Sequence, residues 1–219
     1  MSDERRPRRA RPPVSYAEHG RERDPSGIVV EAVSHLDACN GRALDIGAGS
    51  LSSSRYLLAA GFDVDAVDPD PYTGERAAEL DDARLHMYRT DIRDMHIAPN
   101  SYSLAVAVHV LHLLRRDDLD AVMRAVVEGL TERGILCVTF LGPRDAWAPT
   151  PWRATVLRRD ELNALIAGLD VIRLDELEYD GTDVLGRPKR WHTYRCILRK
   201  SAESRTALRP AAAQRMSPN

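Results

Sequence analysis

The stretch Arg42–Asp70, RALDIGAGSLSSSRYLLAAGFDVDAVDPD, decides how this chain folds. Ala43-Leu44-Asp45-Ile46 is a short apolar run that breaks at once into Gly47-Ala48-Gly49. Serines then open a helical pattern, Arg55 to Ala60, which stops at Gly61, a residue able to take the left-handed cap conformation. A second strand, Asp63 to Val67, ends on an acid, Asp68. Strand, glycine turn, helix, strand and terminal carboxylate form the pattern of a nucleotide site in an α/β sheet. The glycines let the backbone turn sharply and approach a ligand. The acid, about 20 residues on, can accept both hydroxyls of a ribose. Glycines alone fit any α/β turn; Asp68 at this distance selects the nucleotide site.

Working outward, Pro25 and Ser26 start a helix whose Ile28, Val29, Ala32, Val33 and Leu36 share one face. Beyond Asp68, a short helix is expected around Gly74 to Leu80, then a third strand at Leu85–Tyr88. Thr90-Asp91-Ile92 follows it. An acid there can accept from an adenine amino group, or can simply cap a turn. Leu104 to Val108 is a near-continuous apolar run, as a strand covered on both faces should be. His109 and His112 come next, and ligands in such sheets sit beyond the carboxyl ends of the strands. His112 also reads as a packing histidine. Arg115 to Arg133 has the clearest helical period, with Gly134 as its stop, and Ile135 to Leu141 is another buried strand. The loop Gly142 to Pro151, with Trp147 and then Trp152, reads either as a substrate lid or as a plug at the domain edge. Asp160 to Ala167 is helical. Val171–Leu177 and Arg190–Leu198 are strands with no helix between them, so they form a hairpin and one runs antiparallel.

The rest of the chain bounds the answer. At 219 residues the chain suits one domain, and a net charge of −2 gives no global pull toward nucleic acid or acidic membranes. We expect a disordered Arg/Pro-rich arm over 1–13, an ordered domain over 14–200 and a disordered tail over 201–219. Tyr16 and His19 are surface residues or part of a lid. No apolar run is long enough to span a bilayer, and none forms a signal-peptide core. Cys39, Cys137 and Cys196 have no metal-ligand spacing, so buried thiols and a cytoplasmic location are the default expectations.

These features together resemble the class I S-adenosylmethionine-dependent methyltransferases. Leu44-Asp45-Ile46-Gly47-Ala48-Gly49 is similar to the first motif of that family, Val67-Asp68 to its second-strand acid and Thr90-Asp91-Ile92 to its adenine-side motif. Val110-Leu111-His112 is similar to the segment after its fourth strand. Tyr56-Leu57-Leu58 leading into Gly61-Phe62-Asp63-Val64, and Gly186-Arg187-Pro188-Lys189-Arg190-Trp191-His192 before the last strand, resemble small bacterial enzymes related to the tellurite-resistance group. The resemblance implies an α/β, Rossmann-like sandwich with a seven-stranded, mostly parallel sheet and a C-terminal antiparallel hairpin strand. It implies S-adenosyl-L-methionine as cofactor, with Asp45 and the Gly47, Ala48 and Gly49 backbone along the methionine moiety. Asp68 and Pro69 would serve the ribose, and Asp91 and Ile92 would frame the adenine. Two departures stand out. Leu51 occupies the place of a third glycine, where it would narrow the cleft or shift the turn, and Tyr102-Ser103-Leu104 lacks the usual acid.

The expected function is methyl transfer to a small-molecule or short-peptide acceptor, with no membrane partner and no nucleic acid. His109, which also faces the cofactor, is the first candidate base and His192 the weaker one, because imidazole titrates near working pH. Two alternatives compete. One is a non-catalytic S-adenosylmethionine-binding module, suggested by the two departures; the other is an NAD(P)-dependent oxidoreductase, which shares the glycine turn and Asp68.

Overall fold

In the computed structural model, the described residues are 24–148 and 154–201. The arm over 1–13, Tyr16, His19, Trp152 and nearly all of the tail therefore lie outside them. The expected strand–turn–helix–strand unit is present as β1 (Arg42–Ile46), α2 (Ser52–Ala60) and β2 (Asp63–Val67), preceded by α1 (Gly27–Ser34). Gly61 ends α2 at φ 105°, as its lack of a side chain permits. Then come α3 (Pro71–Leu80), β3 (Leu85–Tyr88), β4 (Tyr102–Ala107), α4 (Arg116–Gly129), β5 (Leu130–Leu141), α5 (Arg159–Leu165), β6 (Leu169–Thr182) and β7 (Pro188–Lys200).

Among the described residues these strands make one seven-stranded sheet in the order β3-β2-β1-β4-β5-β7-β6. The first five run parallel, while β7 pairs antiparallel with both β5 and β6. Strand order reverses between β1 and β4, and the crevice outside their carboxyl ends is where an open α/β sheet takes its ligand. Period-2 alternation feeds two cores. Ala43, Val64, Leu104 and Val106 pack with Ile28 and Val29 of α1 and Leu57 of α2. Leu44, Ile46, Ala105 and Ala107 pack on the other face, with Leu119, Val122 and Val126 of α4 and Leu162 of α5.

Three differences from the sequence reading have physical causes. The helix expected to reach Arg133 stops at Gly129, where an added Cβ would lie 2.4 Å from Ile97 Cγ2. Leu130 then turns into the core with no exposure and pairs with Tyr102 as strand, so β5 starts five residues before Ile135. The hairpin strands extend well past the apolar runs that revealed them, because cross-strand pairing continues from Leu169↔Lys200 to Thr182↔Pro188. The acid missing from the start of β4 is supplied from β2. Asp65 Oδ2 accepts from Tyr102 Oη at 2.6 Å and from Arg42 Nη2 at 2.6 Å. That cluster sits at the start of β4, so the departure leaves the crevice at the carboxyl ends of the strands untouched.

Candidate active site

The glycine turn is built by its neighbours. Val67 O accepts from Gly47 N at 2.8 Å and from Ala48 N at 3.3 Å, which ties the turn to the end of β2. Asp68 completes the tie: Oδ2 accepts from Gly49 N at 3.0 Å and Oδ1 from Asp70 N at 2.8 Å. Gly47 must be glycine twice over, since its φ is 69° and a Cβ there would meet Val110 Cγ2 at 2.4 Å. Gly49, at φ 50°, would carry its Cβ into ordinary contact only.

Leu51 does not narrow the cleft. It takes φ 62° at the start of α2 and turns its side chain into a cluster with Ala48 and Ala66, leaving it 1% exposed. The left-handed conformation costs about 1–2 kcal/mol, and burying a leucine returns a similar amount.

A cavity of about 550 Å³ opens between this turn and the end of β4. Asp45, Gly47, Ala48, Gly49, Val108 and His109 line it from the β1 and β4 side. Asp45 is 3% exposed, and burial raises its carboxyl pKa to about 6 against the lowering effect of the Ser54 hydrogen bond at 2.6 Å. His109 leaves β4 at φ 55°, with its backbone N–H donated to Thr139 Oγ1 at 2.7 Å. Its ring surface opens into the cavity, and the apolar surroundings push its pKa down to about 4, helped by the charges of Arg195 and Lys189. The residue is exposed on its cavity side, and its neutral form is favoured at pH 7. His112 also lines the cavity. Burial lowers its pKa to about 3, and its Nδ1 is enclosed without a hydrogen-bond partner.

The opposite wall is aromatic and comes from the loop after β5 and from the hairpin. Trp147 and Trp191 lie 5.6 Å apart, Trp191 is 5.3 Å from His109, and Trp147 is 5.5 Å from His112, all between ring centroids. Tyr179 stacks beside Trp191. Behind them Lys189 Nζ lies 3.3 Å from the Trp191 ring centre and 4.2 Å from that of Trp147. The same ammonium donates to both carboxylate oxygens of Asp145 at 2.7 Å. Asp145 in turn accepts from Trp147 N at 2.9 Å and His192 N at 3.1 Å. This latch fixes the loop against β7. From the sequence, Trp147 reads as a lid residue or an edge plug and Lys189 to His192 as a subgroup mark, but Asp145 carries no local signal.

Other expected site residues lie apart. Asp68, Pro69, Asp91 and Ile92 do not line the cavity. Asp91 caps the turn Ile92–Asp94, and its two oxygens hold Arg93 at 2.8 and 2.9 Å. Ile92 is 9% exposed and joins the core. His192, expected as the weaker candidate base, is fully buried away from the cavity. Its Nδ1 accepts from Arg144 N at 3.1 Å, and its Nε2 pairs with Glu176 Oε1 at 3.0 Å. The ring fills the space left by Gly142, where a Cβ would lie 2.2 Å from it. It is a strut.

Residues 43–134 match the family model for the methyltransferase domain. Over that stretch the chain is similar to a methyltransferase domain. Its fold agrees. TehB from Haemophilus influenzae superposes with a TM-score of 0.70 at 19% identity, over 85% of this chain and 66% of that one. This chain therefore spans a little less than two thirds of TehB. A 1,6-didemethyltoxoflavin-N1-methyltransferase from Burkholderia thailandensis, solved with S-adenosylhomocysteine, gives 0.63 at 18% identity, over 80% of this chain and 77% of that one. An S-adenosylmethionine-dependent methyltransferase from Mesorhizobium loti gives 0.60 at 19% identity, over 78% and 96%. No curated protein matches this chain by sequence. Among its described residues, no helix is long and apolar enough to cross a membrane.

Proposed function

We propose that this domain transfers a methyl group from S-adenosylmethionine to a small-molecule or short-peptide acceptor in the cavity between the glycine turn and His109. The observation that carries this reading is the buried Asp45 carboxyl lining that cavity, with its pKa raised to about 6. A carboxyl held in such surroundings is complementary to a cationic ligand, which restores its charged form. The open backbone face at Gly49 gives the same ligand room to lie close. The residues present fit the cofactor.

When bound, S-adenosylmethionine supplies a methyl carbon made electrophilic by its sulfonium. We assign Asp45 and the Gly47–Gly49 backbone to its methionine end. Asp68, whose carboxylate stands at the end of β2 against the glycine turn, takes the ribose hydroxyls beside Pro69. Asp91 and Ile92 frame the adenine end, with Asp91 held in place by Arg93. The protein then has to orient the acceptor and exclude water. His109, neutral and open to the cavity, receives the acceptor proton where one must leave. Free, mostly buried thiols at Cys137 and Cys196 support a reducing compartment, and we place the protein in the cytoplasm.

The non-catalytic reading loses its motive, since Leu51 is a core residue and the β4 departure lies away from the cleft. Thermal unfolding with S-adenosylhomocysteine, NAD and NADP tests the assignment. S-adenosylhomocysteine alone should raise the midpoint, by about 2.7 kcal/mol of stabilisation at 100 times its Kd, and Asp68→Ala should remove most of the rise. A rise with NAD, or none with S-adenosylhomocysteine, overturns it.

A further inference from the structure

The cavity has two unlike sides. Its glycine-turn side offers backbone and a carboxyl, while its far side offers five rings: His109, His112, Trp147, Tyr179 and Trp191. Charge is distributed as unevenly as shape. The described lining contains no lysine or arginine, and its ionisable groups besides the two histidines and Tyr179 are the acids Asp24, Asp45 and Asp183. Asp183 is already committed to Arg187 at 2.6 Å. Behind the wall Lys189 is equally committed, bidentate on Asp145 and pressed between two indoles with its side chain 2% exposed, and Arg195, whose charge also reaches His109, is not part of the lining. An anionic acceptor brought here gives up its water and finds no free positive partner among these residues, which makes its desolvation costly.

Rings lose none of their favourable contacts in such a place. Indole and imidazole walls take a flat π-surface in offset or edge-on contact, worth about 0.5–1.5 kcal/mol per pair beyond the area buried. Because Lys189 and Asp145 lock Trp147 and Trp191 before any ligand arrives, little side-chain entropy remains to be lost on binding. From this wall we infer that the acceptor is a planar aromatic molecule carrying no net negative charge, held against Trp147 and Trp191. The inference rests on the methyl-transfer reading of the same cavity and narrows it: oxyanions, carboxylates and phosphate-bearing acceptors are selected against. The cavity, about 550 Å³ in all, is shared with the methionine end of the cofactor, which confines such an acceptor to a small ring system.

Calorimetric titration of the full chain saturated with S-adenosylhomocysteine tests this at pH 7.5. The probes are 2-naphthol and 8-hydroxyquinoline as uncharged planar compounds, 3-hydroxy-2-naphthoate as a charged counterpart, and tellurite as an oxyanion. We expect the uncharged probes to bind at least about tenfold more tightly than the naphthoate, a difference of about 1.4 kcal/mol, and tellurite not to bind. Trp147→Ala should weaken 2-naphthol about tenfold while the midpoint rise with S-adenosylhomocysteine persists, which shows the variant folded. Tighter or equal binding of the naphthoate or tellurite overturns the inference. So does an unchanged 2-naphthol affinity in Trp147→Ala, or the absence of binding by both uncharged probes. Those outcomes leave the cofactor rise intact; loss of that rise in the unmutated protein instead removes the methyl-transfer reading and the acceptor class with it.

Discussion

Lys189→Met removes one charge from the most enclosed ion pair among the described residues, and its effect can be worked from the geometry. Lys189 and Asp145 side chains are 2% and 0% exposed, and both carboxylate oxygens are 2.7 Å from the ammonium. Burial drives the Lys189 pKa down while Asp145 pulls it back. Deleting one member of a buried pair costs about 3–5 kcal/mol, because the other charge is left without compensation. Here Asp145 keeps two backbone donors, Trp147 N at 2.9 Å and His192 N at 3.1 Å, which places the loss at the low end. About 3 kcal/mol corresponds to a melting midpoint lower by roughly 6–12 °C for a chain of this size. The assay is reversible thermal unfolding followed by far-UV and near-UV circular dichroism, and the near-UV band should weaken as Trp147 and Trp191 lose their common partner. Adding Asp145→Asn removes the stranded charge, so the double variant should be less destabilised than the sum of the singles by about 1 kcal/mol or more. A loss below about 1 kcal/mol in Lys189→Met, or strict additivity in the double variant, refutes the latch.

Asp45 gives a pH test. Its carboxyl titrates at about 6 in the fold against 3.8 ordinarily, so the native state holds the proton more tightly. The Asp45 contribution to stability is therefore greatest below about pH 4, falls as the pH rises toward 6, and then levels, its total penalty being roughly 3 kcal/mol. Asp45→Asn should raise the melting midpoint at pH 7.5 and not at pH 4, while weakening S-adenosylhomocysteine; its affinity for the unmutated protein should climb with pH up to about 6 and then plateau. His109→Asn, chosen because asparagine tolerates the left-handed backbone there, should lower kcat about 100-fold or more at saturating acceptor if His109 takes the proton. Full turnover removes that role. Gly47→Ala should cost more stability than Gly49→Ala, about 2–4 kcal/mol against about 1–2, because only the first meets a neighbour as well as a positive φ. Equal melting midpoints for the two variants would mean that Val110 gives way.

The glycine-turn side of the cavity was legible because its grammar is local. Gly47, Gly49 and Asp68 lie within one strand–turn–helix–strand unit, and the constraints that join them, positive φ and a carboxylate on the turn's N–H, act over about 20 residues. Strand and helix types were legible for the same reason, since period-2 and 3.6-residue patterns need no partner to be seen. Boundaries were less so where pairing overrode pattern. Leu130 looked like the last turn of a helix until Tyr102 claimed it as a strand partner. Leu51 was misread because the sequence shows that a glycine is missing but not which way the replacing side chain turns; burial beside Ala48 and Ala66 decided it.

The acceptor side had no such grammar. His109 and His112 follow β4, Trp147 follows β5, and Tyr179 and Trp191 face each other across the hairpin as a register pair. No spacing rule links these segments, because the sheet order places β7 between β5 and β6 and only that placement swings Trp191 over the end of β4. The buried pair explains why they stay together: Lys189 lies two residues before Trp191 on the same face of β7, and Asp145 lies two residues before Trp147, so one ion pair sets both indoles. This division has a functional consequence. The glycine turn, proposed to hold the cofactor, is fixed by backbone geometry and tolerates little change, whereas the aromatic wall proposed for the acceptor hangs on one loop, one hairpin and one ion pair. Substitutions at Trp147 or Tyr179 should therefore redirect the acceptor while leaving S-adenosylhomocysteine affinity within about twofold, a separation that parallel titrations of the two ligands can read directly.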